Sequence, residues 1–599
     1  MVYPEKPLDR RNRLIEWLLF CLIPAPAFFV GWKHGAKNFL LIDTDSYNRV
    51  NRVEAILETG RWLHHVPRDN GGASIPIHWS HALDGWIVGF SRCLAPWVHS
   101  RDAVLAAGAV IGPLSILALA WAAMSLVRRA TGLQREALLA GILIAASPAI
   151  ASYGALGRAD YHVLLPAVAI AMLALLLQCP SSNTTTSTSD PGFQEQVTGH
   201  FGAFVSGLLG GIGIWISPEA FPFAMAAWAM ATLMDIERTG GWDQSSCRWS
   251  SGFLVAILAA LIADPPSGGL LAIEIDRLSR PYVELAIGLT LVTFVGAAIL
   301  RPKSQRWTVW GSSLLHGMLG TACLGLWLAI YPDAARGTQG IFSKAMTERV
   351  WSKLAELQPL DDWSRWTESG LFPCLAIALT LSAIPLRFFR RPLVVLHLML
   401  LLFVVAITAK HVRFAVYLQT WAAILSASGW YWATRFPVAH WRQAIWGSAC
   451  LLLVFGPIAV APWLRSTGSS SPPASNWSRS TLAKDLEPFA GKIVLVPINQ
   501  SPEAIYYSRC VCTAGPYHRA EVKMAESLDA FEEKQWASTP RSFQRTGASL
   551  VLIFQANRFP QGSLGSALQS GTCPDWLRPI GGGTEHGYRI YQLRPRSFH

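Results

Sequence analysis

Long apolar runs separated by short charged turns fill the chain from residue 15 to residue 463. A bilayer's hydrocarbon core takes a helix of about 20 residues, so runs of this length that keep recurring read as spans rather than as core helices. The pattern predicts about thirteen of them, near 15–32, 104–127, 137–155, 161–178, 201–217, 219–235, 251–264, 282–300, 311–331, 369–386, 392–409, 414–432 and 444–463. The run at 251–264 is the shortest. Segment 83–98 is apolar too, but it is short and carries Arg92, which predicts a helix at the interface. A true span there would invert everything downstream.

After residue 463 the pattern changes. Residues 466–480 form a Ser/Pro-rich linker, and 492–497, 549–554 and 588–593 have strand-like composition. The predicted fold class is mainly α: a polytopic membrane protein with a small α/β extramembrane domain at its C-terminus. The expected division is a transmembrane domain over 1–465, a linker over 466–480 and a soluble domain over 481–599. Cys510, Cys512 and Cys573 would lie where oxidation is permitted, and one disulfide using Cys573 would leave a cysteine over.

Composition agrees with this reading. The chain is 51% hydrophobic and 15% charged, with a net charge of +12. The excess Lys and Arg lie between apolar runs, which reads as topology rather than as a nucleic-acid face. With the N-terminus in the cytoplasm, alternation puts Arg128, Arg129, Arg135, Arg301, Lys303, Arg306, Arg387, Arg390, Arg391, Arg435 and Arg442 inside, as the positive-inside bias requires. The Ser/Thr-rich stretch 179–200 is then a cytoplasmic loop. Residues 33–103, 332–368 and everything after 463 lie outside.

Five polar groups on the outer side have no obvious role in packing. Asp43-Thr-Asp45-Ser-Tyr47 follows the first span, and two carboxylates at i and i+2 suit a hard cation or a helix cap. Asp160 and His162 stand at the lip of a helix pair in Gly157-Arg158-Ala-Asp160-Tyr-His162, where ionisable residues usually face a cavity. Ser217-Pro218-Glu219 either completes an acidic rim or starts a helix. Glu356, in Glu356-Leu-Gln358-Pro359, lies in a 37-residue outer loop long enough to fold over a site. Lys410-His411-Val-Arg413 opposes the charge rule. A phosphate would explain Arg413, through the paired donors of its guanidinium, and so would a buried acid.

These motifs, in this order, resemble those of GT-C-fold membrane glycosyltransferases, and within them the catalytic subunit of oligosaccharyltransferase, the STT3/PglB family. Asp45-Ser-Tyr47 is similar to that family's Asp-x-Tyr, and Gly157–His162 to its Gly-x-x-Asp-x-(Glu/Asp), with His162 in the place of the second acid. Glu356-Leu-Gln358-Pro359 resembles the end of Ser-Val-Ser-Glu-x-Gln-Pro, and Val412-Arg413-Phe414 resembles Val-Arg-Leu/Phe. The resemblance implies catalytic roles for Asp45, Asp160, Glu356 and Arg413. It implies a divalent metal, Mg or Mn, held by Asp45, Asp160, His162 and Glu356. Secondary candidates are Asp43, Glu219 and His411.

The family's external Trp-Trp-Asp-Tyr-Gly motif, which reads an asparagine acceptor sequence, is absent after residue 463. Tyr517, His518 and Arg519 form the most distinctive polar cluster there and are the candidate acceptor contacts. The expected function is inverting transfer of a sugar or glycan from a polyprenyl- or dolichyl-linked phosphate or pyrophosphate donor to an extracytoplasmic protein or glycan acceptor. The alternatives are asparagine glycosylation of protein and transport of a lipid-linked glycan. The expected location is a bacterial inner membrane with the active face in the periplasm.

Overall fold

The computed structural model describes residues 10–33, 41–177, 193–239, 244–299, 309–336, 342–361, 365–382, 392–435, 440–467 and 477–595. Most of the 179–200 loop, the 301–306 and 387–391 basic turns and most of the 466–480 linker lie outside them. The protein is mainly helical. Six helices are long and apolar enough to cross a membrane among the described residues: Glu16–Lys33, Ser100–Thr131, Gln244–Ala263, Arg280–Ala298, Trp310–Ile330 and Pro392–Lys410. Four shorter apolar helices accompany them, Leu164–Leu176, Phe201–Ile216, Leu371–Ser382 and Gln443–Pro457.

Where they are described, the predicted spans fall largely on helix, and two of them are interrupted. The first is broken into Arg10–Leu22 and Ala25–Lys33, because Pro24 and Pro26 cannot continue the hydrogen-bond ladder. The third is broken into Gln134–Ala145 and Pro148–Tyr153, again at a proline. The short run near 251–264 extends to Gln244–Ala263, and its Gly252 packs against the backbone of Phe204. Segment 83–98 forms a helix of 13 residues, Ala82–Leu94, too short to cross alone. Its Asp84 accepts from Arg49 at 2.9 Å and pairs with Arg52 at 2.5 Å, all three fully buried. That ion cluster fastens it to the helix Thr44–Thr59.

The C-terminal part folds around one five-stranded sheet, β1 (Ile493–Leu495), β2 (Val511–Cys512), β3 (Leu550–Phe554), β4 (Leu577–Gly583) and β5 (Tyr588–Leu593), in the order β2-β1-β3-β5-β4. β1 pairs parallel with β2 and β3, while β5 pairs antiparallel with β3 and β4. β3 is buried on both faces and alternates its side chains between two apolar cores. Cys510, Cys512 and Cys573 are free thiols, so the disulfide that the sequence left open does not form.

The C-terminal part docks against the helix Thr44–Thr59. Thr44 donates to the Asn499 carbonyl and Asn51 to the Pro502 carbonyl, each at 2.8 Å. The backbone N–H of Cys512 reaches the Arg68 carbonyl at 2.8 Å.

Candidate functional site

Three seams assemble the site from distant stretches of chain. At the first, Gly157 takes a left-handed φ of +92°, which lets its carbonyl accept from Ile42 at 3.0 Å. Beside it the Ala159 N–H donates to Ser46 Oγ at 2.8 Å, and Arg158 Nε donates to Asp43 Oδ2 at 2.6 Å. Asp45 and Asp160 thereby stand on adjoining turns. Asp43 also caps the Thr44–Thr59 helix by accepting from the Ser46 N–H at 2.7 Å. Its carboxylate is spent on the cap and on Arg158, a structural role.

The second seam binds the Glu356 turn to the Arg413 turn. Val412 N–H donates to the Gln358 carbonyl at 3.0 Å, and Leu360 N–H to Ala409 at 2.8 Å. His411 Nδ1 lies 2.9 Å from the Leu357 carbonyl. The third seam pins the 342–361 loop on the C-terminal part: Arg349 donates to Asp529 at 2.9 Å and to Glu532 at 2.8 Å, and Ser343 N–H to Glu521 at 3.1 Å.

Between the seams lies a cavity of about 310 Å³ lined by Asp43, Asp45, Asp160, His162, Glu219, Glu356, Arg413, Tyr517 and His518, among others. Nine of the residues singled out in the sequence thus share one space. His411 instead lines an adjoining groove of about 280 Å³. Arg519 lines neither and is bound to Glu274 and Asp276.

Within the cavity His162 Nε2 is 3.2 Å from Asp160 Oδ2 and 4.0 Å from Glu356 Oε2. Asp160 also accepts from the Tyr161 N–H at 2.6 Å. Burial favours its protonated form, but His162 and Arg158 outweigh that and hold the carboxyl below the usual carboxylate range. Asp45 is the opposite case. Burial first, then the charges of Glu356, Asp160 and Asp43, push it well above the usual range. It receives no hydrogen bond among the described residues. A buried carboxylate facing two or three others is stable only with a proton or a cation.

That surplus of charge fits a divalent cation held by Asp45, Asp160, His162 and Glu356. The only set of three whose ligand atoms all lie within 4.8 Å, among the described residues, is another one: His64, His81 and Asp264. There Arg277 already supplies the cation. Its guanidinium donates to Asp264 and lies 3.2 Å from His64 Nδ1, while His81 spends its ring nitrogens on Asp264 and the Leu63 carbonyl. Burial and the Arg277 charge push His64 down to about 4.

Arg413 pairs with Glu219 at 2.8 Å, the buried-acid partner that its position allowed. Its Nε remains without a partner among the described residues. Burial works to lower it, but Glu219 together with Tyr161, Glu356 and Tyr153 outweighs that and holds the guanidinium above its ordinary range. The adjoining groove shares Glu219, Asp276 and Arg413 with the cavity, and Phe221, Phe223, Tyr282, Trp327 and Phe403 line it with Arg336 and Lys410.

Sequence reasoning missed His78, Trp79, Asp276, Phe342 and Trp351, which also line the cavity. For Asp276 a signal existed: Glu274-Ile-Asp276-Arg277 is a charged cluster in a predicted outer turn.

No family model and no curated protein matches this sequence. Among solved structures, the chain is similar to the oligosaccharyltransferase AglB of the archaeon Archaeoglobus fulgidus in complex with an inhibitory peptide and a dolichol-phosphate. That match has 13% identity, covers 91% of this chain and 70% of that one, and has a TM-score of 0.66. The apo form of the Archaeoglobus fulgidus enzyme matches at 14% identity over 90% and 69%, with a TM-score of 0.68. The same enzyme with Zn and sulfate matches at 13% identity over 90% and 68%, with a TM-score of 0.61. The chain has the GT-C fold of these transferases. The expectation of Mg or Mn is corrected by this last structure, whose metal is zinc. A donor set that includes an imidazole suits zinc better than the hard cations, which favour oxygen alone.

Proposed function

We propose that this multi-pass membrane protein is a metal-dependent glycosyltransferase that takes a sugar or glycan from a polyprenyl- or dolichyl-linked phosphate or pyrophosphate. The acceptor lies on the extracytoplasmic side, and the active face of a bacterial inner-membrane protein would be periplasmic. About thirteen spans over residues 1–465 carry the catalysis, a linker follows over 466–480, and the 481–599 domain closes the site.

One observation carries the reading. Asp45, Asp160, Glu356 and Arg413 come from four separate stretches and line one cavity, whose neighbour is an aromatic groove that also has Arg336, Lys410 and Arg413 in its lining. An aromatic groove with several cations in its wall has the chemistry to take a lipid phosphate. The similar archaeal structure is a complex with a dolichol-phosphate, which supports the same donor class.

A metal held by Asp45, Asp160, His162 and Glu356 would supply positive charge beside the donor phosphate. The chain's own residues do the rest. Glu219 holds the Arg413 guanidinium at the boundary between cavity and groove, where its free N–H groups meet phosphate oxygens. As the bond from sugar to phosphate breaks, that fixed cation takes the developing negative charge. The 342–361 loop, fastened by Arg349, keeps Glu356 over the cavity.

Purified protein supplied with a radiolabelled polyprenyl-phosphate sugar and a mixture of glycan and peptide acceptors tests this. The expected result is acceptor-dependent transfer of label, abolished by a chelator and restored by zinc. Movement of the lipid across vesicles without transfer would instead make the protein a transporter.

A further inference from the structure

One wall of the cavity is built from neither the carboxylates nor Arg413. His518, from the C-terminal part, and His78, from the first outer loop, stand with ring centroids 4.4 Å apart. Phe342 stacks on Trp351 at 4.7 Å and meets His518 at 5.7 Å, and Trp79 lies beside His78 at 5.7 Å. These rings form a continuous aromatic face along the cavity.

The polar atoms in this face are few and fixed. His518 Nε2 lies 2.6 Å from Asp276 Oδ2, so that nitrogen carries a hydrogen. Asp276 is held in turn by Arg519, which donates to Oδ2 at 2.9 Å and to Oδ1 at 2.6 Å. The pairing neutralises the acid and sets the imidazole's orientation, as outer partners do for any working histidine. His518 Nδ1 has no hydrogen-bond partner among the described residues. His78 has none either among the described residues: its Nδ1 is enclosed, and its Nε2 is the nitrogen left accessible. Burial, then the neighbouring His518, holds His78 well below the usual imidazole range, so it stays neutral with one N–H and one lone pair.

A polar atom at a cavity wall with no protein partner is a position where a ligand gains a hydrogen bond. The ligand must present groups that both donate and accept, on a frame with an apolar face that lies against aromatic rings. A phosphate only accepts, and this wall carries no uncompensated positive charge for it. A sugar ring has the required character: hydroxyls at its edge and C–H groups on its face.

We propose that His78, His518 and the Phe342–Trp351 stack form an acceptor subsite for a sugar ring, so that the group glycosylated is a carbohydrate hydroxyl. The proposal rests on the glycosyl-transfer reading of the same cavity and gives it an acceptor class. In the transfer, a bond forms between the acceptor oxygen and the donor's anomeric carbon. The bond from that carbon to the phosphate oxygen breaks, and its electron pair leaves with the phosphate. The hydroxyl proton passes to a carboxylate of the Asp45, Asp160 and Glu356 cluster. Asp276 is a positioning residue that acts through His518.

The test uses the full chain in nanodiscs and saturation-transfer NMR with the methyl glycosides of glucose, galactose, mannose and N-acetylglucosamine. A blocked Asn-Val-Thr peptide serves as the competing acceptor. At least one glycoside should bind, and His78→Asn and His518→Gln should each weaken it by about 5-fold or more, the cost of one lost hydrogen bond. The peptide should neither bind at this wall nor displace the glycoside. Thermal midpoints identify a variant that has lost its fold, and the His78 variant decides if the His518 variant does, since the His78 side chain holds no hydrogen bond among the described residues. Three results would overturn the proposal: no glycoside bound by the wild type, binding unchanged in the folded variants, or the peptide occupying the wall in the glycoside's place. Thermal stabilisation by undecaprenyl phosphate is measured separately. Its absence would count against the lipid-donor reading and leave the glycoside result to stand on its own.

Discussion

Arg413 meets Glu219 at 2.8 Å across the boundary between the carboxylate cavity and the aromatic groove, so the cation assigned to the donor phosphate is already paired with an acid. Removing one partner of a largely buried pair leaves the other charge stranded. Glu219→Gln should therefore destabilise the protein, by about 3 kcal/mol. A lipid phosphate can stand in for the lost acid. Undecaprenyl phosphate should accordingly raise the thermal midpoint more in Glu219→Gln than in the wild type. Equal shifts in the two proteins would separate Arg413 from the phosphate.

Arg413 itself separates donor from acceptor. Arg413→Ala should raise KM for the lipid donor and leave KM for the acceptor nearly unchanged. Arg413→Lys should recover only part of the loss, because a point charge replaces a fork of donors. Initial rates with each substrate varied in turn make the comparison.

Much of this site was legible because membrane helices do not retain charged residues cheaply. Asp160, Glu219 and Arg413 stood out by occupying the outer turns of apolar hairpins, and the structure gathers them. Asp43 belonged to the same motif, yet it caps a helix and pairs with Arg158, which the motif alone could not separate from metal binding. His78 gave little signal, since it sits in an ordinary polar loop; the charged cluster around Asp276 was visible, but its bond to His518 joins residues 242 apart. In the C-terminal part the two strands not expected were β2, which has only two residues, and β4, which contains Pro579 and three glycines. Pro and Gly are depleted in strands, and β4 tolerates them at the sheet's edge.

The contact between Asp69 and the C-terminal part should make stability depend on pH. Asp69 is buried beside Tyr517, and burial pushes its carboxyl up to about 7. A carboxyl raised on folding stays protonated in the folded chain while the unfolded chain ionises, so its contribution is full below the unfolded value near 4 and is lost as pH rises through about 7. The protein should thus lose stability from this group between pH 4 and pH 7. Asp69→Asn keeps the shape without the charge, and should flatten that slope and stabilise the protein at pH 8 by at least about 1 kcal/mol. Thermal midpoints of both proteins across this range check it.

Arg349 fastens the 342–361 loop to the C-terminal part through two partly exposed ion pairs. Exposed pairs contribute little to global stability, about 0.5 kcal/mol each. Arg349→Ala should leave the thermal midpoint within a few degrees of the wild type and make cleavage by protease near Lys344 and Lys353 several-fold faster. Unchanged proteolysis would mean that the loop is held elsewhere.

The account depends most on Asp45, the half-buried carboxylate that faces other acids and receives no hydrogen bond among the described residues. Asp45→Asn preserves size and removes the negative charge. The decisive measurement is transfer of labelled sugar from a polyprenyl-phosphate donor by purified Asp45→Asn protein, at zinc concentrations from trace to saturating, with the thermal midpoint recorded alongside. The predicted result is a loss of turnover of at least about 100-fold, the cost of removing a principal electrostatic group, with the fold retained and no rescue by added zinc. Transfer near the wild-type rate by a folded Asp45→Asn protein would contradict the assignment of this cavity as the catalytic site.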